Sequence, residues 1–289
     1  MKRTLMIILS IGLLLGLTTY TYITIRAGFP NMVDLSDSHL GQAVLKEPGR
    51  SPLEDVYTVS DFSPLKGYGA FNRELEVYGL TLIVHKDISD DFALKVANTM
   101  VSMFPKDPAF DLESQERLLQ NMHLYKAALP LVKNERAMGD TEKLQRDYSI
   151  CDIIMQVNHQ QENEVIEHLL HAITDVGLHY TYNESWGLEG SDLQALMKQA
   201  IESKYYNIED YKSYPSSVKN RILVQEYAYW AITSVWDFQA TYGQANREWV
   251  LDTYDKIARS QGKFITLYNR TLKTILQPPT QTALDAFKK

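Results

Sequence analysis

The hydrophobic pattern mixes strand and helix periods up to residue 132 and is helical from residue 161 on, and that limits the folds open to the chain. Arg73 to Val84 alternates in part, through Leu75 and Val77 and then Leu80, Leu82 and Val84, and its β-branched content reads as a strand. Ser89-Asp90-Asp91 reads as a helix start, with Phe92, Val96, Met100 and Met103 following at helical spacing and Pro105 closing the segment. A further helix is expected near Leu112 to Met122 and a short strand over Ala127 to Val132, while Glu135 to Arg146 is polar and reads as a loop or an exposed turn. From residue 161 the pattern is helical. Four helices are expected: Glu162 to about Val176, ended by Gly177; Leu193 to about Tyr205; Ser216 to about Phe238; and Asn246 to Ile275, stopped by Pro278-Pro279. Strands first and helices after imply an α+β fold with the helices in a layer of their own.

Ahead of this lies a stretch without charge, Thr4 to Ile25. Its 22 residues are enough to cross a bilayer core of about 30 Å as a helix. Lys2 and Arg3 precede it, which keeps the N-terminus cytoplasmic, and Tyr20 and Tyr22 suit an interfacial belt. A cleaved signal peptide would want a shorter apolar core and a small-x-small site. The sequence therefore leads us to expect a single-pass membrane anchor over residues 1–26 and a Pro-containing linker over 27–70. One domain over 71–289 would then face the periplasm or the exterior.

Apolar residues make up 45% of the chain and charged residues 22%, so a sizeable core is expected. Net charge is -7, with no basic block beyond the first three residues, and this argues against nucleic acid as a partner, since phosphate binding needs clustered Lys and Arg. Cys151 is the single cysteine, so no intrachain disulfide forms and the residue reads as buried packing.

The residues that could carry chemistry crowd one segment, from Glu164 through Glu167, His168 and His171 to Asp175. On a helix, positions three and four apart share a face. Glu164 and His168, Glu167 and His171, and His171 and Asp175 are each four apart, and His168 and His171 are three apart, so five ionisable side chains share one broad stripe. Leu169, Leu170, Ile173 and Val176 occupy much of the rest, as in a helix packed in a core. Titratable groups beside a buried surface are costly unless something compensates them, and a divalent cation is the simplest compensation for imidazole and carboxylate. Asp175 is expected to orient a histidine or to cap the helix end.

The segment Glu167-His168-Leu169-Leu170-His171 resembles, with its first two letters exchanged, the His-Glu-x-x-His helix of zincin metallopeptidases, where two histidines four apart hold zinc and the Glu activates water. The tail His171-Ala172-Ile173-Thr174-Asp175 with Gly177-Leu178 resembles the continuation in thermolysin-like enzymes. In proteases resembling anthrax lethal factor a third ligand, Glu, begins a Glu-aromatic pair inside a later long helix. Gln225-Glu226-Tyr227 fits that place, 55 residues after His171. Trp230 stands where that family has a second acid, and no Tyr occupies the family's customary place before Glu226, although Tyr211 and Tyr214 are near.

The resemblance implies a mostly helical zincin-like catalytic portion, a bound Zn2+ or another divalent cation, and a peptide or protein substrate. Three assignments are open. Glu167, His171 and Glu226 hold the metal with His168 as general base; or His168 and His171 hold it with Glu167 or Glu164 as base; or the cleft is a non-catalytic module that binds a peptide or protein. Two carboxylates and one imidazole are a harder ligand set than zinc's usual one. Glu189 is a further candidate third ligand, ranked below Glu226 because Gly187 and Gly190 place it in a loop.

Overall fold

The computed structural model describes residues 44–134, 137, 141, 143–157, 159–243 and 248–288. Three strands, β1 (Ser63–Tyr68), β2 (Phe71–Val77) and β3 (Leu80–His85), form an antiparallel meander. The single strand expected over residues 73–84 is thus a hairpin. Its two-residue loop is Tyr78-Gly79, both at positive φ (50° and 77°), the loop geometry that suits the twist of two antiparallel strands. A side chain at Gly79 would place Cβ 2.2 Å from the Leu119 carbonyl oxygen, so only glycine fits.

After β3 the chain leaves the sheet through α1 (Asp90–Met103) and α2 (Leu112–Leu124), then returns as β4 (Ala127–Val132), parallel to β3. Ser89 caps α1 by accepting from the Phe92 amide, as its sequence position predicts. Two short strands, β5 (Ser149–Ile150) and β6 (Ile154–Met155), run parallel to β4 along one edge, giving the order β1-β2-β3-β4-β5 with β6 also on β4. Every residue of β3 and β4 is buried, as strands covered on both faces must be. The larger core packs α1, α2 and the later helices against one face; a smaller cluster around Phe71, Ile83, Ala128, Val132 and Ile153 covers the other.

The helical half holds α3 (Gln161–Ala172), α4 (Asp192–Glu202), α5 (Ser216–Val235), α6 (Tyr254–Ser260) and α7 (Gly262–Thr271). The helix expected over 246–275 is broken between α6 and α7 at Gln261, whose backbone is non-helical (φ -129°, ψ 46°). Gly177 does not end α3; the chain runs on as a wide π turn, Ile173–Leu178. There α2 comes so close that a Cβ on Gly177 would lie 2.9 Å from Leu118 Cδ2.

Two expectations are corrected. The fold is mixed α/β rather than α+β with segregated helices: α1 and α2 lie between β3 and β4 in sequence, and a parallel pair needs such a crossover. The expected single-pass membrane protein, with its N-terminal transmembrane helix and the bulk of the chain periplasmic or extracellular, is not supported, because among the described residues no helix is long and apolar enough to cross a membrane. The uncharged stretch Thr4 to Ile25 that carried this expectation lies outside the described residues. Of the expected linker, residues 44–62 lie against the domain: Val44 and Val56 are buried, and the Gly49 amide donates to the Leu124 carbonyl at 2.7 Å.

Candidate metal centre

Asp152 reaches the centre because the edge strand breaks. Ala128 pairs with Ile150 and Leu131 with Ile154, so three steps along β4 face four along the edge. The extra residue makes a bulge at Cys151-Asp152-Ile153, and bulges re-aim side chains. Asp152 Oδ1 accepts from the Ile153 amide at 2.8 Å. Asp152 Oδ2 faces α3, 2.9 Å from His171 Nδ1 and 3.4 Å from His168 Nε2.

The first turn of α3 is stitched to β6. Gln161 accepts from the Val157 amide and donates to the Met155 carbonyl, and Glu164 accepts from the Met155 amide at 2.7 Å. Glu162 and Glu164 also sit where the helix dipole favours acids. These bonds set the rotation of α3, so that Val165, Ile166, Leu169 and Leu170 enter the core while His168 and His171 turn toward Asp152.

From α5 come Arg221, Gln225, Glu226 and Tyr229. Arg221 Nη1 donates to Gln225 Oε1 at 2.9 Å, which aims the Gln225 amide nitrogen at His171 Nδ1 (3.0 Å) and Asp152 Oδ2 (3.4 Å). Arg221 Nη1 also lies 3.5 Å from Asp175 Oδ2. Asp175 therefore faces Arg221, not the histidine it was expected to orient. Glu226 Oε2 is 3.8 Å from His171 Nε2. Tyr229 donates to Asn163, whose amide lies 3.4 Å from Glu167 Oε2.

Among the described residues two triads could hold a metal ion: Asp152, His168 and His171, and Glu167, His171 and Glu226, with ligand atoms in each within 4.8 Å of one another. The four residues expected at the metal thus fall into the two triads, Glu167 and Glu226 in one, His168 in the other and His171 in both, with Glu226 supplied by α5; Asp152, from the edge bulge, was not expected. Glu189 is exposed and belongs to neither triad. The cavity over the centre, about 300 Å³, is also lined by Tyr211, Tyr214 and Ile222. Tyr211 donates to Glu248 at 2.6 Å, and Trp230 Nε1 donates to the same oxygen at 3.2 Å.

Burial raises the carboxyls of Glu167 and Glu226, whereas Asp152 is paired with the His168 imidazole. Burial, followed by Glu167 and Glu248, pushes the Glu226 carboxyl well above the usual range. Burial pushes Glu167 up to about 8, against the opposing pull of His168. Burial disfavours a charged His168, but Asp152, Glu164 and Glu167 outweigh it and raise the imidazole to about 9. For Asp152 burial is outweighed by His168 and His171, and the carboxyl falls to about 2. Burial lowers His171. His171 Nε2 and His168 Nδ1 are buried without a hydrogen-bond partner. The orphaned His171 Nε2 beside acids fits a cation, because the lone pair that repels a carboxylate is the one a metal accepts.

No family model, curated protein or solved structure matches the chain.

Proposed function

We propose that the chain is a metal-dependent, peptidase-like hydrolase of zincin resemblance, with Glu167, His171 and Glu226 as ligands to a divalent cation, zinc foremost. The observation that carries this reading is His171 Nε2, fully buried, without a partner and 3.8 Å from Glu226. With the ring proton on Nδ1, His171 donates to Asp152, the Gln225 amide donates to Asp152 Oδ2 rather than to the ring, and the Nε2 lone pair faces Glu167 and Glu226, the carboxylate–histidine–metal arrangement. A bound cation would supply Lewis-acid activation of water and of the scissile carbonyl.

His168 is the proton carrier in this reading. Its two ring nitrogens lie 3.4 Å from Asp152 and 3.4 Å from Glu164. It takes a proton from the attacking water and returns it to the leaving amine. The proton it holds in the cation-free protein must first be lost, which the positive charge of a cation favours. Tyr211, anchored by Glu248, closes the cavity wall beside Glu226.

A second ligand assignment has an observation of its own. The Asp152, His168 and His171 contacts of 2.9 and 3.4 Å are close to the edge of roughly 3.3 Å that bonds of about 2.0–2.1 Å give a tetrahedral zinc site. A peptide-library assay with added zinc tests the function. Cleavage should appear, stop with chelator and fall away in Glu226→Gln. Cleavage that survives both treatments, or an active-site titration with no turnover in any zinc-loaded sample, would sink the hydrolase reading; the second result would leave a binding module.

A further inference from the structure

We propose that the centre takes two divalent cations, one on each side of the His171 ring. The inference rests on the ligand set assigned above and extends it, except that His168 becomes a ligand to the second cation and no longer carries the proton. The His171 side chain is fully buried, and each ring nitrogen faces an acid: Nδ1 meets Asp152 Oδ2 at 2.9 Å and Nε2 meets Glu226 Oε2 at 3.8 Å. A neutral imidazole donates at one nitrogen only, so the other aims a lone pair at a carboxylate whichever tautomer forms. Each side also has the residues to complete a ligand set. Glu167 and Glu226 stand on one side, Asp152 and His168 on the other, and the two triads share only His171.

The second side is already shaped for a metal. His168 Nε2 lies 3.4 Å from Asp152 Oδ2. The remaining ring nitrogen, Nδ1, lies 3.4 Å from Glu164 Oε1, the carboxylate that would orient His168 as a ligand. One obstacle stands there. The Gln225 amide nitrogen is 3.0 Å from His171 Nδ1, and Arg221 holds the amide oxygen turned away. The cation on this side must push Gln225 aside and is the weaker of the two. When both bind, His171 gives its ring proton to solvent and bridges as imidazolate, and the protons held by His168, Glu167 and Glu226 pass to solvent as well; the four positive charges of the two cations then meet five negative ones, from Asp152, Glu164, Glu167, Glu226 and the imidazolate.

The test uses the full chain, stripped with chelator and titrated with zinc, with metal content measured after dialysis. Wild type should bind two equivalents, one tight and one weak. Gln225→Ala should tighten the weak one. Glu226→Gln should lose the tight one and His168→Ala the weak one, in proteins whose circular dichroism is unchanged. Loaded with Cu2+, the wild type should give an electron paramagnetic resonance signal smaller than two isolated ions, through exchange across the shared ring. One equivalent in wild type and in Gln225→Ala overturns the second cation and leaves the metal reading standing. No bound zinc overturns both. Two equivalents with two uncoupled copper signals overturn the shared ring. Gln225→Ala keeps the proposal testable if His168→Ala fails to fold.

Discussion

Asp152 Oδ2 lies 2.9 Å from His171 Nδ1, across 19 positions of sequence and between a broken edge strand and a helix. The contact fixes which ring nitrogen faces Glu226, so in the proposed metal site Asp152 would orient His171 without touching the cation on that side. Removing such an orienting carboxylate weakens a metal site by about 10–100-fold. Asp152→Ala should therefore lose zinc affinity in that range while remaining folded, as read by competition with a chromophoric chelator. Unchanged affinity would separate Asp152 from the site.

The cation-free protein should be most stable in weak acid. Glu167 is raised to about 8 from an ordinary value near 4.3, so the folded state prefers its neutral form and loses stability as pH climbs from about 4 to 8. His168 is raised to about 9 from about 6.5; its contribution is complete below 6.5 and is lost as pH rises through 9. Asp152 is lowered to about 2, so its contribution is present above about 3.9 and is lost as pH falls through 2. Melting temperatures of chelator-treated protein should fall steadily from pH 5 to pH 9. Zinc binds the deprotonated groups, so calorimetry at pH 7 in buffers of different ionisation enthalpy should show protons released on binding. A flat melting profile with no proton release would contradict the charge states described.

Arg221 supports the centre from behind, between Asp175 and Gln225. Breaking a buried pair from one side costs about 3–5 kcal/mol because it strands a charge. Arg221→Ala should cost less than that at pH 7, where the buried Asp175 carboxyl can take up a proton, and approach it as pH rises. Asp175→Asn should cost less than half of it at pH 7, because burial already lifts the Asp175 carboxyl to about 7. The raised value means Asp175 costs the fold stability as pH rises from about 4 to 7, so the Asn variant should show a shallower pH slope in chemical denaturation.

Gly177 lets α2 approach the π turn that follows α3. A methyl there would meet Leu118 Cδ2 at 2.9 Å and Met122 Cγ at 3.1 Å. Overpacking of this kind costs about 1–3 kcal/mol. Gly177→Ala should lower thermal stability accordingly and weaken zinc binding, since α3 carries Glu167, His168 and His171. A neutral melting temperature would show that α2 gives way.

Much of the centre was legible because it obeys helix spacing. Glu167, His168 and His171 share a face by arithmetic, and Glu226 was found through the resemblance of Gln225-Glu226-Tyr227 to a known third-ligand motif, not from any local physical signal. Asp152 was not legible. Its position depends on one extra residue in a two-piece edge strand, and nothing local distinguishes that aspartate from a loop acid. Glu248 was hidden for a related reason: it meets Trp230 and Tyr211 through tertiary packing alone. The hairpin at Tyr78-Gly79 reads as one strand because apolar residues recur on both sides of the turn, although the alternation changes phase there, from Leu75 and Val77 to Leu80, Leu82 and Val84. The parallel pairing of β3 with β4 is set by the sheet partners, which periodicity along one strand does not encode, and so the fold reads α+β from sequence and α/β in space.

The central claim is that His171, Glu167 and Glu226 hold a divalent cation. The most direct measurement is anomalous diffraction at the zinc edge from crystals of the full chain grown with zinc. We predict a peak between His171 Nε2 and the Glu167 and Glu226 carboxylates, absent in Glu226→Gln. A zinc-grown crystal with no peak in this cavity, or one whose only peak lies outside it, would contradict the claim.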